Sequence, residues 1–454
     1  MINFEDRTGP DLGADAPSYP EWEFPQWLAE AKFGIFVHWG LYSVPAWAEV
    51  GSGPTAVEDA YRDHQYAEWY ANTVRLEGSS AQAYQRATFG PGTSYEDLAD
   101  DWQAEHFDAA ACIELFRRAG AKYVVPTAKH HDGFCLWDTD TTPFNSAVRG
   151  PGRDLIQEFA TASRNAGLKF GTYFSGALDW HVSDFPAIAS DPDIFRLRRN
   201  DEDFARYSHR QARELVDRFA PDLLWNDIEW PDAGKSGADF GVAALFDAYR
   251  AAVPDGIVND RWGVPSHGYL TREYSDIGGL DGRHWESCRG LGRSFGVNQN
   301  ESDAELLSVA GLVRHLVSVV SRNGNFLLNI GLSADGTVPD PYRQRLLGLG
   351  AWLATNGAAI YGTRPWTGTL TPEQRDHFAV TVGADATYLS VTTPGAELPP
   401  APLDVTGGVW LGLSENDGGG HGGSDRVVVV PGALAASPVA VLCIPHPADG
   451  QAPA

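Results

Sequence analysis

Basic residues are scarce in this chain of 454 residues: 34 Lys and Arg stand against 60 Asp and Glu, a formal charge of −26. Such a field disfavours nucleic acid and anionic membranes, whose phosphates are bound by clustered Lys and Arg, and suits a neutral substrate. Cysteine is sparse as well. Cys112, Cys135, Cys288 and Cys443 lie far apart and form neither a CxxC nor a Cys/His ligand pattern. Reduced thiols and a cytoplasmic setting are therefore expected. The opening residues MINFED lack a basic region leading into an apolar stretch, so no signal peptide is expected. No run approaches the roughly 18 apolar residues of a membrane span, and no repeat of fixed period is visible. Disorder is excluded by a hydrophobic content of 43% against 21% charged residues. The length suits a large barrel with a smaller appended module.

What the chain does have is a succession of short apolar runs ending in polar residues. They lie at residues 33–39 (FGIFVHW), 122–126 (KYVVP), 168–173 (LKFGTY), 222–227 (DLLWND), 256–260 (GIVND), 270–274 (LTREY), 284–287 (HWES) and 325–330 (NFLLNI). Helical patterns separate several of them, over about 108–120, 154–166 and 201–219, and another follows over 341–355. Eight strands alternating with helices predict a (β/α)₈ TIM-like barrel, irregular after the fifth and sixth runs, where the connections are too short for full helices. A doubly wound open sheet is the alternative, but no Gly-rich phosphate loop follows the first run. After Gly362 the composition changes. Residues 377–393, 426–430 and 439–444 read as strands of a small antiparallel β-sandwich, with a flexible glycine-rich loop at 418–423.

A closed parallel barrel carries its site at the C-terminal ends of the strands. His38, His130, His131, Tyr173, Trp225, Asp227, Arg261 and Glu273 all fall at or near such ends. Each alone has an ordinary reading: Asp227 as a strand-end cap, Glu273 as a surface carboxylate, the histidines as internally hydrogen-bonded, most of the 15 tryptophans as core. Their joint placement carries the argument. Glycoside hydrolysis needs two carboxyl groups flanking the anomeric carbon, one to attack or activate water and one to protonate the leaving oxygen. Asp227 fits one role. Glu273 fits the other, with Glu229 and Glu286 as rivals. His38, His130 and His131 allow a second reading as metal ligands of a barrel hydrolase. The HxH and HExxH patterns are absent, however, and adjacent strand residues converge only where the strand ends. Hydrogen bonding to sugar hydroxyls is the preferred reading for them, with no cofactor implied.

The segments 32–47 (KFGIFVHWGLYSVPAW), 68–70 (EWY), 119–138 (AGAKYVVPTAKHHDGFCLWD), 168–175 (LKFGTYFS), 221–231 (PDLLWNDIEWP), 258–265 (VNDRWGVP) and 322–331 (RNGNFLLNIG) resemble, in order, the α-L-fucosidases of glycoside hydrolase family 29. The resemblance spans roughly residues 20 to 365. It implies an irregular (β/α)₈ barrel, here residues 1–364, followed by a β-sandwich, residues 365–454. It also implies a retaining exo-glycosidase that needs no metal and removes terminal α-L-fucosyl residues from oligosaccharides or glycoconjugates. Asp227 matches the nucleophile position, and Glu273 falls where some bacterial members carry the acid/base. His38, Glu68, Trp69, His130, His131, Tyr173 and Arg261 match sugar-pocket positions. Phe36, Trp225 and Phe295 resemble the apolar wall that receives the C6 methyl of fucose, so slow activity on α-L-galactosides is expected. Self-association is expected from related enzymes. The chain departs from the pattern at Ile228, where many members have Gly, and at Pro126 inside the second run. Residues 51–65 align poorly and are expected to shape the aglycone side.

Overall fold

The computed structural model describes residues 17–51, 61–275, 282–413 and 423–446. All eight anticipated runs are parallel strands: β1 (Phe33–His38), β2 (Tyr123–Lys129), β3 (Lys169–Ser175), β4 (Leu223–Asp227), β5 (Ile257–Val258), β6 (Leu270–Glu273), β7 (Trp285–Gly290) and β8 (Gly324–Gly331). They pair in the order β5-β4-β3-β2-β1-β8-β7-β6, which leaves β5 and β6 at the two ends of one curled sheet. Among the described residues no ladder joins those ends. The seam is closed instead by the Gly268 amide donating to the Val258 carbonyl at 2.9 Å. Asp260 adds two bonds, its Oδ1 accepting from the Thr271 amide at 3.1 Å and the Thr271 hydroxyl at 2.7 Å.

Period-two side-chain alternation sorts the strands into an inner and an outer face. On β1, Phe33, Ile35 and Val37 join the outer core, against the surrounding helices. Phe36 points inward with Tyr123, Tyr173, Leu223, Trp225 and Leu327. Gly34 supplies room rather than bulk: a Cβ there would lie 2.4 Å from the Tyr123 ring. The helices Ala109–Arg118, Leu155–Asn165 and Glu202–Phe219 cover the outside. Their starts are fixed by Asp108, Asp154 and Asp201, whose carboxylates accept from the amides of Ala111, Gln157 and Phe204. Such caps stabilise a helix by about 1 kcal/mol each.

A five-stranded antiparallel sheet follows, built from β9 (Arg364–Pro365), β10 (Phe378–Val382), β11 (Ala386–Val391), β12 (Val409–Trp410) and β15 (Ala440–Pro445), in the order β12-β15-β11-β10-β9. One face belongs to the barrel's core through Ala379, Val439 and Val441. The other builds a separate core from Phe378, Val380, Leu389, Val391, Trp410, Leu442 and a covering segment that includes Leu403 and Val405. The strand expected over 426–430 shrinks to Val427–Val428 (β14), which among the described residues pairs only with Gly423–Ser424 (β13). Val427 and Val429 are 61% and 63% exposed, so the valines that suggest a strand bury too little to join the sheet. The glycine-rich loop expected at 418–423 lies, apart from Gly423, outside the described residues. All four cysteines are free.

Candidate active site

A cavity of about 370 Å³ opens at the C-terminal end of the barrel, and twelve of the residues singled out from the sequence line it: Phe36, His38, Glu68, Trp69, His130, His131, Tyr173, Trp225, Asp227, Arg261, Glu273 and Phe295. The barrel explains the convergence. His38 ends β1, His130 and His131 follow β2, Tyr173 lies near the end of β3, Asp227 ends β4, Arg261 follows β5 and Glu273 ends β6. The His130 and His131 rings, placed where the strand gives way to a turn, come within 4.1 Å between centroids.

Asp227 Oδ1 accepts from Arg261 Nη1 at 2.9 Å and from the Ile228 amide at 3.0 Å. Oδ2 accepts from the Tyr173 hydroxyl at 2.9 Å and lies 3.8 Å from His131 Nε2. Burial pushes the Asp227 carboxyl upward, but the charge of Arg261 and the hydrogen bonds donated by Arg261 and Tyr173 outweigh it, and the net shift is downward. Arg261 also reaches the second carboxylate, its Nη2 lying 3.3 Å from Glu273 Oε2. One guanidinium thus spans both acids, and its Nε donates to Thr271 at the seam. Its face lies over Trp225, 4.6 Å from the ring centroid.

The turn after Asp227 is unusual. Ile228 and Glu229 both have left-handed φ, 56° and 67°. A β-branched residue there is a genuine outlier that costs of order 1–3 kcal/mol. Anchors on every side offset the strain. Arg198 donates to the Ile228 carbonyl at 3.0 Å, and the Glu229 amide donates to Arg261 O at 3.0 Å. The Glu229 carboxylate is held by Arg198 at 3.1 Å and Lys235 at 2.9 Å. Ile228 itself buries its side chain with Trp69, Leu178 and Ile188. Glu229, a rival acid from the sequence, therefore pins this turn and does not line the cavity. Glu286, the other rival, lies inside the barrel, accepting from Tyr123 at 2.7 Å, Trp225 at 3.0 Å and Tyr269 at 3.4 Å.

The histidines are buried and neutral. Burial drives His38 down to about 3, His131 down to about 4 and His130 well below its usual value. Their tautomers follow from the partners. Asn329 donates its amide to the Phe295 carbonyl, so its Oδ1 accepts from His38 Nδ1 at 2.7 Å. Ser175 spends its proton on Leu178 O, so its oxygen accepts from His131 Nδ1 at 2.7 Å. Both rings then offer an unprotonated Nε2, suited to accept from a hydroxyl. Among the described residues no three His, Cys, Asp or Glu side chains are grouped to hold a metal ion. Glu68, also buried, accepts from the Gly296 amide at 2.8 Å and Ser294 at 3.1 Å, and burial raises it to about 7. Phe36 packs on Trp225, and Phe295 on His38, at centroid distances of 4.9 and 5.0 Å.

The poorly aligned stretch expected to shape the aglycone side reaches the cavity. Tyr61, Asp63, His64, Gln65 and Tyr66 line it, together with Asp191, which accepts from the Tyr61 hydroxyl at 2.6 Å. Residues 61–65 belong to the poorly aligned stretch; residues 52–60 of it lie outside the described residues. Loop residues carry no periodicity, so the sequence marked the stretch but singled out none of its side chains, nor Tyr66 and Asp191. Asn329 and Ser175 were likewise readable only as polar residues ending strands.

A family model described as alpha-L-fucosidase matches residues 11–358. The tissue alpha-L-fucosidase of Rattus norvegicus is 35% identical over 363 residues, covering 78% of this chain and 73% of that protein. Thermotoga maritima alpha-fucosidase in complex with fucose superposes with a TM-score of 0.82 at 40% identity, covering 94% of this chain and 100% of that one. Thermotoga maritima alpha-L-fucosynthase in complex with alpha-L-Fuc-(1-2)-beta-L-Fuc-N3 gives a TM-score of 0.84 at 41% identity, covering 93% and 97%. With three quarters of its length inside the family model and the same barrel carrying the pocket, this chain belongs to the alpha-L-fucosidase family.

Proposed function

We propose that the chain is a retaining exo-α-L-fucosidase that releases terminal fucose from fucosylated oligosaccharides or glycoconjugates by double displacement. The observation that carries the reading is Arg261, whose two terminal nitrogens reach Asp227 and Glu273 at once. A planar fork of this size keeps the two carboxyl groups close, as retaining glycosidases require. Asp227, held as an anion, is the nucleophile. Its Oδ1 has two strong donors, which leaves Oδ2 the freer oxygen to attack C1. As the Asp227–C1 bond forms and the C1–O bond breaks, Glu273 gives its proton to the leaving oxygen. Water then attacks C1, Glu273 takes up the proton, and Asp227 is released.

His38 and His131 accept from sugar hydroxyls, and Phe36, Trp225 and Phe295 wall off the C6 methyl. That wall discriminates against a C6 hydroxyl by about 1–3 kcal/mol, which leaves slow activity on α-L-galactosides. Turnover of p-nitrophenyl α-L-fucoside by Asp227→Ala should fall by at least about 10³-fold, and azide should restore part of it by filling the vacated space. Near-normal activity in that variant would sink the assignment.

A further inference from the structure

Glu273 stands on poor footing for a group that must hand over a proton along one line. It ends a strand of four residues that, among the described residues, pairs only with β7 in a ladder and borders the β5–β6 seam. Its side chain is gripped from two sides. Arg261 meets Oε2, and across the cavity the Tyr66 hydroxyl donates to Oε1 at 3.0 Å.

Tyr66 is itself immobilised. Its ring lies nearly parallel to Tyr274, the residue after Glu273, with centroids 6.3 Å apart, and meets Phe295 edge-on at 5.7 Å. Its amide donates to His64 Nδ1 at 3.2 Å, and the His64 ring stacks on Trp69 at 5.0 Å. The next amide, of Ala67, donates to Ser294 Oγ at 2.8 Å. A phenol fixed in this way sets the plane of the carboxyl group it holds.

We infer that Tyr66 is the positioning residue for Glu273, aligning the carboxyl group so that its proton reaches the glycosidic oxygen as C1–O breaks and Asp227–C1 forms. The inference rests on the reading of Glu273 as acid/base. It has a consequence that a structural role for Tyr66 lacks. Expulsion of an alkoxide leaving group, such as a second sugar, depends on the proton. Expulsion of dinitrophenolate does not.

The test compares kcat/KM, which reports the first displacement, for a fucosyl disaccharide and for 2,4-dinitrophenyl α-L-fucoside. Both are measured on one preparation of Tyr66→Phe, so any misfolded fraction cancels in the ratio. The disaccharide value should fall about tenfold or more with KM nearly unchanged, and the dinitrophenyl value by less than about threefold. Glu273→Gln should show the same divergence, larger. Equal losses on both substrates in Tyr66→Phe, or none on either, would overturn the positioning role. If Glu273→Gln itself shows no divergence, the acid/base reading fails instead, and the two failures are told apart.

Discussion

Burial moves the ionisable side chains in and around the pocket in opposite directions, and their balance bears on how stability depends on pH. The imidazoles of His38, His64, His130 and His131 are depressed by burial, so they stay neutral in the folded protein well below 6.5. Folding then excludes protons that the unfolded chain binds, and the stability these groups permit is lost as pH falls below 6.5. Glu68, Asp132 and Glu286 are raised by burial to about 7. They work the other way: their contribution is fully present below about 4.5 and is lost as pH rises through about 7. Between about 4.5 and 6.5 the four imidazoles and the three carboxyls oppose one another, and the one extra imidazole leaves only a gentle rise of stability with pH. Below about 4.5 the unfolded carboxyls are protonated too, the histidine penalty stands alone, and the depressed Asp227 adds to the loss. A melting temperature measured from pH 3.5 to 8 should therefore rise only gently from about 4.5 to 6.5 and drop steeply on the acid side. A steep climb from 4.5 to 6.5 would show that these carboxyls are ionised in the folded protein.

Among the elements, the β5–β6 seam bears most directly on the chemistry. Thr271 accepts from Arg261 Nε through the same hydroxyl that donates to Asp260, so barrel closure and the aim of the guanidinium share one side chain. Thr271→Val keeps the shape and removes both bonds. It should lower unfolding free energy by about 1–3 kcal/mol in urea titrations. It should also lower kcat/KM by about tenfold, because Arg261 spans both carboxylates. Unchanged kcat/KM would mean that Arg261 is held without the seam. Element by element, the barrel was readable because each strand is a short apolar run that must end in polar groups at the sheet's edge. That logic placed Asp227 and Glu273 correctly at the ends of β4 and β6. It could not tell Glu286 from an active-site acid, since only the folded barrel brings Tyr123, Trp225 and Tyr269 around it. Nor could it find Tyr66, whose partner is 207 residues away. At residues 426–430 the same logic overreached: β-branched residues suggested a strand, but strand propensity without burial gave only a short hairpin.

Across the whole molecule, the two sheets share one core. The apolar helix Val309–Ser321 buries Leu312, Val313, Leu316 and Val317, and residues of β10 and β15 join the same cluster. Trp352 donates to the Val439 carbonyl at 3.0 Å and Thr381 to the Ala359 carbonyl at 2.7 Å, tying the antiparallel sheet to the barrel's back. The rigid scaffold so formed brings groups from β1 to β6 onto a single cavity. In the proposed double displacement those groups surround one reacting carbon, and Asp227 forms a bond to it. Covalent trapping reads out that bond. The protein would be incubated with a 2-deoxy-2-fluoro-α-L-fucosyl donor carrying a good leaving group, digested and mapped by mass spectrometry. One fluorofucosyl adduct is expected, on the peptide containing Asp227 and on that residue. An adduct on Glu273, or turnover of the donor with no adduct and inversion at C1, would overturn the role of Asp227 as nucleophile.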